Sequence, residues 1–155
     1  MKHVRLAAAL TLAAGTLFAL PAAAQWAKPE DAVKYRQSAM ALQGNHLGRV
    51  FAMANGRVPF DAKVAAEQID IVAALNRLQF AAFIDGSDKA GNTRAKPEIW
   101  SEKDKFNAEV AKSQESVAAL VVAGRSGNID QIKTAAGAVG AGCKNCHDTY
   151  QAPAR

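Results

Sequence analysis

Five residues near the C-terminal end of the chain concentrate its reactive side chains: Cys143, Lys144, Asn145, Cys146 and His147. They spell C-x-x-C-H, the spacing of a c-type haem attachment site. Two cysteines are needed because each forms a thioether with one vinyl group of the porphyrin. On a helix, positions i and i+3 put both sulfurs on one face. His147 sits next to the second sulfur and four residues beyond the first, so its imidazole can turn over the iron as an axial ligand. Three other chemistries use similar residues. A thioredoxin-type dithiol wants a strand–turn–helix context. A structural zinc site wants about four ligands, and outside the leader described below only His46 is left to join Cys143, Cys146 and His147. A disulfide between Cys143 and Cys146 would be strained inside a regular helix. One covalent haem c per chain is therefore the expectation, with Cys143 and Cys146 as tethers and His147 as the iron ligand.

The element that carries these residues reads as an amphipathic helix. Asn128 is its N-cap, and Ile129, Ile132, Ala136, Val139, Cys143, Cys146 and Tyr150 step by three and four along one face. Both cysteines fall on that apolar face, so a tethered porphyrin lies inside the core the helix helps to build. Three further helices are predicted upstream. Pro29-Glu30-Asp31 opens the first, with proline suited to the first turn and acids favourable at the positive end of the helix dipole. Its face runs Val33, Gln37, Met40, Gly44, Leu47, Phe51, and Gly56 and Pro59 end it. Asp61 caps the second, whose stripe is Ile69, Val72, Leu75 and Leu78, with Phe83 near its end. Residues 85–97 are the longest polar, glycine-containing stretch and read as a loop. Ser101-x-x-Asp104 resembles a capping box that starts the third, which carries Phe106, Val110, Val117, Leu120 and Val121; Gly124 and Gly127 stop it. No segment alternates strictly enough for a half-buried strand. Short connections make sequential helices antiparallel neighbours, so the predicted fold is all-α, an up-down-up-down four-helix bundle.

Composition narrows the function classes. At 155 residues, 50% hydrophobic and 21% charged, the chain suits one folded domain with a single core and not a disordered segment. Two cysteines exclude a disulfide framework. The formal net charge is +5, but the basic residues do not cluster, so no nucleic-acid partner is expected. Residues 1–24 read as a secretory signal: Lys2 and Arg5 form the positive end, residues 6–20 the apolar stretch, and Ala22-Ala23-Ala24 a small-residue processing site. That stretch is short for a transmembrane anchor. A cleaved leader at 1–24, a single domain at 25–155, export to the periplasm and no membrane insertion of the mature chain are therefore expected. Losing the leader also removes Lys2 and Arg5, so part of the basic excess is an export label.

Taken in order, five segments carry a resemblance: A-K-P-E-D-A-V-K-Y-R-Q-S-A at 27–39, N-H-L-G-R at 45–49, V-P-F-D-A at 58–62, K-P-E-I-W at 96–100 and C-K-N-C-H-D-T-Y at 143–150. Across essentially the whole mature chain the sequence resembles the class II c-type cytochromes, specifically the cytochrome c′ family. The resemblance implies a left-twisted antiparallel bundle, usually a homodimer, with haem near one end. It implies five-coordinate, high-spin iron, with His147 on one side and no strong ligand on the other. It also places Arg36 and Gln37 beside the haem propionates and ring, Arg94 at the haem edge, Phe83 against the ring, and Met40 over the vacant face. Arg36 and Met40 are four residues apart and share a helix face, so one can meet a propionate while the other covers iron. By residue type alone Met40 is either a core filler or a thioether sixth ligand; the resemblance favours an uncoordinated Met40. His46 lies six residues on, about 240° around the helix, and is expected to be a surface or packing histidine. One position departs from the pattern. Many family members have Arg or Lys four residues after the iron-ligating histidine, and this chain has Gln151. Arg155 could supply that charge if the tail folds back.

The functional expectation is a periplasmic haem protein that binds nitric oxide and carbon monoxide and can transfer single electrons. The alternative is a low-spin electron carrier with six-coordinate His147–Met40 iron. Enzymatic activity is not expected, because Gln37, Met40 and Gly44 relay protons poorly. A homodimer is implied, with Phe51, Met53 and Ile71 as candidate interface residues, together with a periplasmic redox partner of unknown identity.

Overall fold

A computed structural model describes residues 26–153. The predicted leader at 1–24 and Arg155 lie outside the described residues. Five helices follow in order: α1 (Pro29–Ala54), α2 (Ala62–Phe80), the short α3 (Glu98–Ser101), α4 (Lys103–Ser126) and α5 (Ile129–Tyr150). The four long helices are the four that the periodicity predicts. α1 packs on α2, α2 on α4, α4 on α5, and α5 back on α1, which closes a four-helix bundle. Among the described residues the only extended pairing is an isolated bridge between Ala95 and Gln151.

Local chemistry explains most of the boundaries. Pro29 occupies the first turn of α1, with Glu30 and Asp31 beside it. Asp61 caps α2 by accepting from the Val64 amide, and Asn128 caps α5 by accepting from the amides of Asp130 and Gln131. α4 ends at Gly127, whose φ of 65° is the left-handed conformation that glycine adopts without strain.

Two boundary expectations need correction. Ser101 does not cap α4; it closes the extra turn of α3, the helical path is interrupted at Glu102, and no side chain caps α4. Gly124 does not stop α4 either. It is buried within the helix, where a Cβ would lie 2.9 Å from Ile69 Cδ1, so the missing side chain lets α4 approach α2 closely.

The main core joins Leu47, Val50 and Met53 of α1 to Ile69 and Val72 of α2, Val117 and Leu120 of α4, and Ile132 and Val139 of α5. The α2 stripe drifts from its predicted line: Asn76 and Gln79 are buried, while Leu78 is 48% exposed. The two candidate interface residues on α1 also move inward. Met53 is 5% exposed within the core, and Phe51 packs against that core and onto Gly140. Of the three, only Ile71 sits on the surface. A second cluster of Ile99, Phe106 and Tyr150, with Phe80, Phe83 and Trp100 against it, fills the end of the bundle where the cysteines lie.

Candidate haem-binding site

At that end the bundle opens into a cavity of about 420 Å³. α1 contributes Arg36, Gln37, Met40, Gln43, Gly44 and Leu47, which is one face sampled at helical spacing. α5 contributes Cys143, Cys146, His147 and Tyr150, and Gln151 follows at its end. Phe80, Phe83 and Phe106 form an aromatic wall, and Thr93 and Arg94 close the loop side. Every residue singled out from the sequence as a haem contact therefore borders one space.

The cysteines behave as the apolar face of α5 dictates. Neither is in a disulfide. Burial pushes the Cys143 thiol up, and burial, Glu109 and Cys143 together push Cys146 up to about 11. A nucleophilic dithiol needs its pKa lowered instead, so the thioredoxin alternative loses its chemistry as well as its fold. The described residues contain no group of three or more His, Cys, Asp or Glu able to hold a metal ion, so the zinc alternative finds no ligand set. His46 turns away from the cavity and pairs its Nδ1 with Gln68 Oε1 at 2.8 Å, between α1 and α2. It is a packing histidine.

Arg36 does more than its predicted place beside a propionate requires. It is 3% exposed. Nη1 donates to Ala82 O at 3.0 Å and to Ser87 Oγ at 2.7 Å, and Nη2 donates to Ser87 O and Thr93 Oγ1, both at 2.8 Å. Its guanidinium also lies 4.5 Å from the Phe83 ring centre. The residue thus pins the 81–93 connection against α1. Only the Nε–H is left for a ligand in the cavity.

The other side of the same connection is tied to the end of α5. Ala152 N donates to Arg94 O and Lys96 N to Tyr150 O, while Arg94 Nε donates to Ala152 O at 2.8 Å. Lys96 Nζ donates to Thr149 O at 2.8 Å, a cation on the last carbonyls of the helix that carries His147. Gln37 reaches Asn92 O at 3.4 Å.

The sequence pattern that defines the family described as Cytochrome C' matches residues 31–151. The chain belongs to the cytochrome c′ family. Cytochrome c′ of Rubrivivax gelatinosus is 50% identical over 127 residues, which cover 82% of this chain and 98% of that protein. Its crystal structure superposes with a TM-score of 0.80, covering 82% of this chain and 99% of that one. Cytochrome c′ of Alcaligenes xylosoxidans is 40% identical with a TM-score of 0.78, covering 83% of this chain and 99% of that one, in a variant with carbon monoxide bound. Another variant of that protein has been solved with nitric oxide bound.

Family membership implies haem c, and the residues present fit it. Two free thiols lie one helical turn apart on the cavity wall, with an imidazole beside the second. Opposite polar edges and aromatic faces suit an amphipathic macrocycle. Gly44 borders the cavity, and a Cβ there would meet nothing within 4 Å, so α1 leaves open space where the ring needs it. Cys143, Cys146 and His147 are the residues that would hold the group.

Sequence reasoning missed Gln43, Gln79 and the Phe80–Phe106–Tyr150 wall. The spacing of Gln43, three residues after Met40, was the available signal. It lies beside the predicted stripe, which passes through Gly44.

Proposed function

We propose that this chain is a periplasmic cytochrome c′ that carries one covalent haem c, keeps its iron five-coordinate and high-spin, and binds nitric oxide and carbon monoxide. When bound, the haem supplies an iron with one axial position for a gas and a one-electron redox change. Cys143 and Cys146 tether the ring by thioethers, and His147 supplies the axial nitrogen. Met40 covers the other face with a side chain that donates no hydrogen bond. Arg36, through its Nε–H, and Arg94 are placed to meet the acidic edge, and Phe83 packs the ring. Export rests on the leader at 1–24, and among the described residues no helix is long and apolar enough to cross a membrane.

The observation that carries this reading is the make-up of the cavity lining. Among the described residues, and apart from the attachment motif, it holds no second histidine, no lysine and no carboxylate, and Met40 is its only thioether. Such a lining supports a binder with an open axial position over a catalyst that must move protons. The gas-bound Alcaligenes xylosoxidans structures supply the ligand class. Gln151 stands where many family members place a cation four residues after the iron-ligating histidine, so proximal-side ligand behaviour is expected to differ.

The test is the optical spectrum of the purified ferrous protein at neutral pH, before and after carbon monoxide. A broad unsplit visible band that changes promptly with the gas is the expected result. Sharp α and β bands unmoved by the gas would mean that Met40 or another strong ligand closes the sixth site, and would make electron transfer the leading reading.

A further inference from the structure

The last carbonyls of a helix have no amide of their own to meet, and helix ends fray unless something outside them supplies donors. His147 lies in such a turn, close to the end of α5 at Tyr150. Its own carbonyl still accepts from Gln151 N at 2.9 Å, but Ala152 N leaves the helical ladder and donates to Arg94 O at 2.8 Å. The carbonyls of Asp148, Thr149 and Tyr150 all accept from one residue. Lys96 Nζ donates to Asp148 O at 3.3 Å and to Thr149 O at 2.8 Å, and Lys96 N donates to Tyr150 O at 2.9 Å. Lys103, Lys105, Lys112 and Lys144 pair with carboxylates. Lys96 instead puts its ammonium on main-chain oxygens, at the negative end of the helix dipole.

Lys96 ends a strap, residues 92–96, that joins α1 to α5 beside the cavity. On the α1 side Arg36 donates to Thr93 Oγ1 and Gln37 to Asn92 O. On the α5 side Ala95 bridges to Gln151. Pro97 follows, which favours an extended Lys96, and Ile99 then seats in the apolar cluster with Phe106 and Tyr150. The strap is therefore anchored at both ends by contacts that do not involve the Lys96 ammonium, and the ammonium ties the turn that carries His147 to it.

We propose that Lys96 is a positioning residue: by holding the last turn of α5 to the strap it fixes the backbone from which His147 reaches the iron, and so sets the strength of the iron–histidine bond. The inference rests on the reading above in which His147 is the axial ligand of a covalent haem. In that reading the Cys146 thioether anchors one side of His147 and Lys96 anchors the other. Groups that hold a metal ligand from behind tune the metal in this way. Water can satisfy the carbonyls if the ammonium is lost, yet it cannot tie them to the strap, so the effect is local.

The test uses the ferrous, haem-loaded protein with its Lys96→Met, Lys96→Gln and Lys96→Arg variants. The readouts are the iron–histidine stretching band by resonance Raman and hydrogen exchange of the Gln151 and Ala152 amides. Lys96→Met and Lys96→Gln are expected to move the band to lower wavenumber and broaden it. Exchange of the two amides should quicken by about tenfold, the equivalent of one net hydrogen bond to a charged donor. Lys96→Arg, which keeps the charge and the donors, is expected to restore both. A band of natural position and width in Lys96→Met and Lys96→Gln would overturn the proposal, even with faster exchange, since that is the mark of a structural tie alone. Exchange unchanged in both would overturn it too, by showing that the ammonium does not hold the turn. Absence of an iron–histidine band from the natural protein would instead overturn the reading of His147 as axial ligand, and is seen without any variant.

Discussion

Taking a guanidinium out of water costs free energy that must be recovered locally, and Arg36 recovers it from four hydrogen bonds and an aromatic face. Desolvation pulls its pKa down to about 10, with Asp88 opposing. It therefore stays charged from pH 5 to 8 in both the folded and unfolded chain, and no proton is exchanged there when the protein unfolds. Arg36→Met would leave Ala82 O, Ser87 O and two hydroxyls without their donor. The expected loss is on the order of 3 kcal/mol, constant across that pH window, measured by denaturant unfolding at several pH values. A loss that grows or vanishes between pH 5 and 8 would mean that another titrating group governs the site. The cysteines allow a sharper chemical test. Cys143→Ala or Cys146→Ala should release part or all of the haem into acidic organic solvent, while the unmutated protein should retain it. Equal extraction from all three would refute covalent attachment. At this scale the motif residues were legible because their spacing is the chemistry. Arg36 was legible as a cavity residue but not as the pin of a loop, since its acceptors lie more than forty positions away and include main-chain oxygens.

Helices were legible wherever apolar period and capping chemistry agreed. The N-caps at Asp61 and Asn128 and the proline start of α1 are local devices, decided within four residues. Gly124 was misread because glycine signals both a stop and a close approach, and only the packing of α2 against α4 distinguishes them. Its neighbour across the interface, Ile69 Cδ1, would stand 2.9 Å from a new Cβ. Gly137 offers the contrast: it is exposed in the middle of α5 and a Cβ there would meet nothing within 4 Å. Replacing glycine by alanine in a helix gains about 1 kcal/mol from the backbone alone. Gly137→Ala should therefore raise the thermal midpoint. At Gly124 the same gain is opposed by overpacking worth about 1–3 kcal/mol, so Gly124→Ala should lower the midpoint or at best hold it. A clear rise in Gly124→Ala would show that Ile69 yields freely and that the glycine is not set by helix approach.

The outer surface of the bundle carries an exposed apolar seam, and we propose that a second copy of the chain covers it. Val64, Ile71 and Leu78 are all exposed on α2 and recur every seven residues, which draws one seam along the helix. Leu42 adds an exposed apolar side chain on α1. The drift of the α2 stripe has its reason here: Asn76 and Gln79 turn inward toward α4 and the cavity, and Leu78 turns out onto the seam. This part of the molecule was least legible in the sequence, because an apolar residue at helical spacing does not reveal which of two cores it serves. Phe51 and Met53 serve the chain's own core; Ile71 stays on the surface, on the proposed seam. An isologous two-fold contact brings the same patch of each subunit together, so one substitution acts twice. Ile71→Glu would set two carboxylates against each other in an apolar seam, at a cost of several kcal/mol in dimer affinity. Sedimentation of the haem-loaded protein at micromolar concentration should give a dimer for the natural sequence and a monomer for Ile71→Glu. The visible spectra should be indistinguishable, because the seam lies on the outside of the bundle and the cavity within it. A natural sequence that sediments as a monomer would refute the dimer, and an Ile71→Glu protein that remains dimeric would move the interface off α2.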